Sequence, residues 1–188
     1  MRLLELFAGT GSIGRAFRDR GWEVVSLDLD PKSAPTVRAS PVCAMDLIAR
    51  TTAKTPRDLV WADSLVARTL EIIDYYKPQR WAFENPATGL LKGRSIVAGL
   101  PFKDCCYCRY NYQYRKCTRI WGNLEWEPRM CNKRTPCEHK ARVGVHAMTA
   151  QRGPGRGKNG LNSGDRCSLG QLYSMPPELC DDLAESAS

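Results

Sequence analysis

Long apolar runs are missing from this sequence. None approaches the roughly 18 residues that a membrane-spanning helix needs, which excludes an integral membrane protein of the helical kind. A secretion signal is also lacking at the start, where Glu5 interrupts a short apolar run and glycines follow, with no small-residue cleavage site. The expected setting is therefore intracellular: nucleus, cytoplasm, or the cytoplasm of a viral or bacterial host. In such a setting the nine cysteines should mostly be thiols or metal ligands rather than disulfides. Internal repeats are absent. With 188 residues, 43% of them hydrophobic and 26% charged, the chain has room for one cored domain with a small appendage.

Charge of one sign is missing in places as well. Residues 167–188 contain no lysine or arginine, and residues 153–164 contain almost nothing apolar, which makes the latter a loop. The net charge of +8 is concentrated in residues 103–166. There the cations alternate with Tyr107, Tyr110, Tyr112, Tyr114, Trp121 and Trp126, a mixture suited to neutralising phosphates and stacking on bases. The plainer alternative is a solvated basic face over ordinary core aromatics.

Leu3 to Phe7 is a short strand that runs into Ala8-Gly9-Thr10-Gly11-Ser12-Ile13-Gly14, and a helix from Arg15 to Arg20 stops at Gly21. A second strand over Glu23 to Leu27 ends on Asp28-Leu29-Asp30-Pro31. Strand, glycine turn, helix, strand and acid are the parts of a nucleotide-binding βαβ unit, and Asp28 is placed to accept ribose hydroxyls. Either a dinucleotide or S-adenosylmethionine fits that pattern. Glu5 separates them, because a carboxylate there would repel a pyrophosphate but suits a methionine ammonium. Asp58 to Tyr76 has helical periodicity and is stopped by Pro78. Trp81-Ala82-Phe83 reads as a strand ending at Glu84-Asn85-Pro86, and residues 101–121 as a strand pair. A last short helix starts near Pro176-Pro177 and turns Leu179 and Leu183 inward.

Several of these stretches resemble the cytosine carbon-5 DNA methyltransferases, a family of class I S-adenosylmethionine-dependent enzymes. Glu5-Leu6-Phe7-Ala8-Gly9-Thr10-Gly11-Ser12-Ile13-Gly14 is similar to the family's first motif. Ser40-Pro41-Val42-Cys43 resembles its Pro-Cys motif, with valine where a second proline is common. Phe83-Glu84-Asn85-Pro86 resembles its Glu-Asn motif, and Gln113-Tyr114-Arg115-Lys116-Cys117 its Gln-x-Arg-x-Arg, with Cys117 at the second arginine and Arg119 nearby as a substitute. Tyr173-Ser174-Met175-Pro176-Pro177-Glu178-Leu179 resembles the closing motif.

The resemblance implies an α/β fold with a Rossmann-like methyltransferase sheet and a cofactor, S-adenosyl-L-methionine, held by Glu5, Phe7, Ala8, Gly9, Thr10, Gly11, Gly14, Asp28 and Leu29. It implies a catalytic set of Cys43, Glu84, Asn85 and Arg115. Cys43 would attack cytosine carbon 6, Glu84 would protonate ring nitrogen 3, Asn85 would orient its loop, and Arg115 would reach the base or the Cys43 loop. DNA would be the substrate, with the base extruded from the duplex, while RNA remains an alternative. A catalytically degenerate nucleic-acid-binding relative is a further alternative. No protein partner is inferred. Residues 1–121 would form the cofactor-binding core, 122–170 a basic recognition region, and 171–188 a segment returning to the core.

Asp30 and Cys43 stand too close together for the helix, strand and loop of a complete fold, which need on the order of 30 residues, so elements after the second strand should be missing. One strand fits there, over Thr36 to Ser40. In an alternative threading, Val42 to Leu47 is the third strand, with Asp46 beside the adenine, and Asp58 to Ser64 the fourth. The helical period from Leu59 onward favours the first arrangement.

Cys108, Cys131, Cys137 and His139 are the candidate ligands should the basic block hold zinc, with Cys117 as an alternative fourth. Their spacing matches no common zinc pattern, so no bound metal is the expectation.

Overall fold

The structure is a computed structural model that describes residues 1–6, 10–28, 36–38, 58–148 and 174–187. Its elements follow the hydrophobic pattern. Strand β1 spans Arg2–Leu6, helix α1 Ser12–Arg18, β2 Glu23–Asp28 and β3 Val37–Arg38. Helix α2 spans Leu59–Tyr76, β4 Ala82–Pro86, β5 Phe102–Cys106, β6 Cys117–Gly122, α3 Glu138–Val143 and α4 Pro177–Glu185. The Asp58 carboxylate accepts from the Trp61 N–H and caps α2 at its start, and Lys77 closes it in the left-handed region. Pro177 opens α4, where the missing N–H of proline costs nothing. Among the described residues no helix is long and apolar enough to cross a membrane.

The described strands form two sheets of three. The first is parallel in the order β1-β2-β3, and the second is antiparallel in the order β4-β6-β5. The described residues thus form a mixed α/β arrangement with two small sheets. Strand β4 takes its partner from the β5–β6 hairpin, and its Phe83 ring stacks on Trp121 with centroids 5.3 Å apart. No described ladder joins β4 to β2 or β3. Glu84, Asn85 and Pro86 lie inside the strand and not beyond its end. Residues 58–64 form the cap and first turns of a helix, so the threading that made them a fourth strand is overturned.

The antiparallel sheet has a core on each face. Ile120 and Cys105 point into a core shared with Ala16 and Phe17 of α1, Leu179, Leu183 and Ala184 of α4, and Tyr107, Tyr110 and Tyr114. Trp121 points the other way, onto Ala62 and Val66 of α2 with Leu91 and Val97. Tyr107, Tyr110, Tyr114, Trp121 and Trp126 are all buried. The expectation that these aromatics offer a stacking surface is thus corrected: they are core, because a region with few aliphatic residues must fill its interior with rings. Helix α4 is tied to α1 by Arg20, which donates to Asp181 at 2.8 Å and Glu185 at 3.2 Å.

Trp121→Ala should cost about 3–5 kcal/mol, the usual loss for an emptied tryptophan site. Urea unfolding checks this, and the midpoint should drop with no change in slope.

Candidate cofactor and reactive site

The glycine turn between β1 and α1 shapes the first half of the site. Gly11 caps α1 with φ +65°, a conformation that favours glycine, and its carbonyl accepts from Arg15 N–H at 3.0 Å. The Arg15 side chain donates to the Thr10 carbonyl at 2.7 Å, and the Thr10 and Ser12 hydroxyls lie 2.7 Å apart. Gly14 meets its own chain rather than a ligand. A Cβ there would stand 2.4 Å from Glu5 Oε2, so only glycine leaves room for that carboxylate.

Glu5 is buried at the end of β1. Its Oε1 accepts from the Gly14 N–H at 3.0 Å, while Oε2 has no hydrogen-bond partner among the described residues. Burial raises its pKa, against the lowering effects of that N–H, Arg18 and Arg15; the charge of Asp28 adds to the rise. Asp28 ends β2, the parallel neighbour of β1. A buried carboxylate oxygen with an unused lone pair and a carboxylate at the next strand end are what an ammonium and a ribose would need, so the residues present fit S-adenosylmethionine. Glu5, Thr10, Gly11 and Asp28 would line that site. Phe7, Ala8, Gly9 and Leu29 lie outside the described residues.

The second half lies on the antiparallel sheet. Glu84 is partly exposed; it accepts a short hydrogen bond from the Thr118 hydroxyl and pairs with Lys116 Nζ at 3.6 Å. Lys116 also lies over the Tyr107 ring, 4.7 Å from its centroid. Lys116, and not Arg115, is thus the cation beside Glu84. Arg115 is exposed at the approach to β6. Asn85 is buried on the opposite face of the strand, with its Oδ1 unpartnered among the described residues. Arg119 does not stand in for the motif's second arginine at Glu84; it is held by Asp104 through two hydrogen bonds of 2.7 and 2.8 Å and lies over Phe102. Nothing in the motif match pointed to Lys116 or Thr118. The β6 register, which puts Thr118 on the Glu84 face, reveals them.

Cys43 falls outside the described residues. The described cysteines are all otherwise engaged. Cys106 and Cys117, opposite each other on β5 and β6, form a disulfide. Cys105 and Cys180 are buried thiols, each pushed up to about 12 chiefly by burial, which makes them poor nucleophiles. Cys108, Cys131 and Cys137 converge on one another and on His146. His139, the histidine the spacing suggested, is not in that group; its Nδ1 lies 2.8 Å from the Val145 carbonyl.

No family model matches the chain. The chain is, however, 29% identical to the "Probable DNA (cytosine-5)-methyltransferase" of frog virus 3 (isolate Goorha), over 98% of its own length and 99% of the viral protein. The similarity to a protein of that name runs over almost the whole chain. The alignment extends over 221 positions, more than the 188 residues present here, so the viral protein carries segments that this chain lacks.

Glu5→Gln separates the cost of this site from its use. A carboxyl held above its unfolded pKa destabilises the folded chain at neutral pH, and the penalty fades as pH falls through the raised value. The variant should melt above wild type near neutral pH. The difference should close on acidification. Paired thermal melts across pH check it.

Proposed function

We propose that the chain is an S-adenosylmethionine-dependent DNA cytosine-5 methyltransferase that works through a covalent cysteine adduct. The single observation that carries this reading is the end-to-end similarity to the viral protein. The buried, half-used Glu5 carboxylate supports the choice of cofactor. S-adenosylmethionine, when bound, supplies a methyl group on a cationic sulfur.

Carbon 5 of cytosine is a weak nucleophile, so the chain must first raise the electron density of the ring. The Cys43 thiolate adds to carbon 6 while Glu84 gives a proton or hydrogen bond to ring nitrogen 3, and the resulting enamine makes carbon 5 reactive. After methylation a base takes the carbon 5 proton, and elimination releases Cys43. Among the described cysteines two are paired, two are buried and inert, and three are clustered with His146, which leaves Cys43 and Cys167, and of these Cys43 stands in the stretch that resembles the Pro-Cys motif. Lys116 and Thr118 hold the Glu84 carboxylate in place. Asn85 acts behind it, from the opposite face of β4.

DNA would be held mainly through phosphates. Arg115, Lys133, Arg134, Lys140 and Arg142 make no ion pair among the described residues, and all but Lys140 are exposed. The buried tyrosines do not stack on bases in this reading; recognition comes from cations and from pocket contacts.

The test is transfer from labelled S-adenosylmethionine to DNA and RNA in parallel, with trapping on DNA that contains 5-fluorocytosine. DNA should be labelled and trapped, and Cys43→Ala should abolish both. Labelling of RNA alone would reassign the substrate, and DNA binding without any transfer would mark a degenerate relative. Each of Lys133→Ala, Arg134→Ala and Arg142→Ala should weaken DNA binding similarly on all sequences and reduce the salt slope by about 1. Binding isotherms at several salt concentrations check it.

A further inference from the structure

Beneath the exposed cations of the basic block lies a cluster whose buried members are all cysteines: Cys106, Cys108, Cys131 and Cys137, with Cys117 packed against it. The Cys106–Cys117 disulfide accounts for two of them. The other three meet His146, and the four potential ligand atoms all lie within 4.8 Å of one another. We propose that Cys108, Cys131, Cys137 and His146 form a structural zinc site that staples residues 123–148 to the β5–β6 hairpin.

The ligand set is the first argument. Three thiolates and an imidazole with no carboxylate select a tetrahedral zinc centre over calcium or magnesium, which take oxygen ligands. A zinc centre with bonds of about 2.0–2.3 Å puts its ligands roughly 3.5–3.8 Å apart. Cys131 Sγ and His146 Nε2 are 3.4 Å apart, and the Cys137 N–H points at Cys131 Sγ from 3.4 Å, which favours the thiolate.

The backbone is the second. Cys108 sits in the turn that follows β5. Cys131 and Cys137 flank a tight loop in which Asn132 Oδ1 accepts from the N–H groups of Arg134 and Thr135 at 2.8 Å each. Cys137 caps the start of α3, and Gly144 ends that helix with φ +82°, turning the chain so that His146 comes back to the cysteines. The contact between His139 Nδ1 and the Val145 carbonyl fixes that return, so one histidine positions the segment carrying the other. Arg109 ties the Cys108 turn to the loop by donating to the Pro136 carbonyl at 3.0 Å.

Need is the third. Apart from the six residues of α3, residues 123–148 have no helix or strand of their own, and this cluster has no aliphatic core. A segment of this kind is usually ordered by a metal or a cross-link. A chain that transferred no methyl group would still bind zinc here, so this inference does not stand or fall with the catalytic one.

The full chain, purified under reducing conditions without chelator from zinc-supplemented culture, should contain about one zinc by elemental analysis, the occupancy of a single tight site. Cys131→Ser and His146→Ala should lose most of it, whereas His139→Asn should keep it. Should those variants fold poorly, cobalt loading of the wild type gives an independent reading, with thiolate charge transfer and the intense visible bands of a tetrahedral ion. Wild type with far less than one zinc and no tetrahedral cobalt spectrum would overturn the site. Metal lost in His139→Asn but kept in His146→Ala would overturn the assignment of its ligands.

Discussion

Strand β6 is the constraint on which the rest of the molecule depends. Among the described strands of its sheet it is the one with a neighbour on both sides, and its side chains alternate between two unrelated tasks. Thr118 and Ile120 face α1 and α4, and Thr118 there holds Glu84. Arg119 and Trp121 face the other way, where Arg119 locks Asp104 and Trp121 fills the core under α2. A slip of one residue would exchange the two faces, placing a guanidinium in the tyrosine core and tryptophan against Glu84. The pairing of β6 with β4 therefore sets the packing of two cores and the orientation of the reactive carboxylate at once.

Local elements were legible in the sequence because their signals are local. The apolar period with Asp58 and Pro78 at its ends marks α2, the glycines mark the start of α1, and Pro176-Pro177 marks α4. The joining of strands was not legible. Ala82 to Pro86 has the same apolar character whether it lies in a parallel or an antiparallel sheet, and only the β5–β6 hairpin, a non-local partner, decides between them. The aromatics illustrate a similar limit. Tyrosines spaced among lysines and arginines look alike on a surface and in a core, and their burial here follows from α4 returning to cover them.

The candidate site was readable by residue type more than by partner. Glu5 and Glu84 were recognisable, yet the groups that hold them, Gly14 on one and Thr118 with Lys116 on the other, depend on register and on a turn geometry that spacing does not specify. His146 escaped for the same reason. Sequence distance favoured His139, which lies two residues from Cys137, but a histidine in the first turn of a helix is carried round it, and the left-handed turn at Gly144 brings the more distant one back.

The shortness of the chain also has a structural consequence. Strand β2 ends at Asp28 and its parallel neighbour β3 begins at Val37, a connection shorter than the dozen or so residues of an ordinary parallel crossover. Of that connection only Thr36 is among the described residues. The register is kept by other means: Thr36 and Ser26 exchange hydrogen bonds between side chain and backbone, with Thr36 N–H donating to Ser26 Oγ at 3.1 Å and Ser26 N–H to Thr36 Oγ1 at 3.2 Å. The Arg20 bridge to Asp181 and Glu185 couples the C-terminal helix directly to the helix of the glycine turn. In so short a chain, the segment that closes the fold also braces the candidate cofactor site.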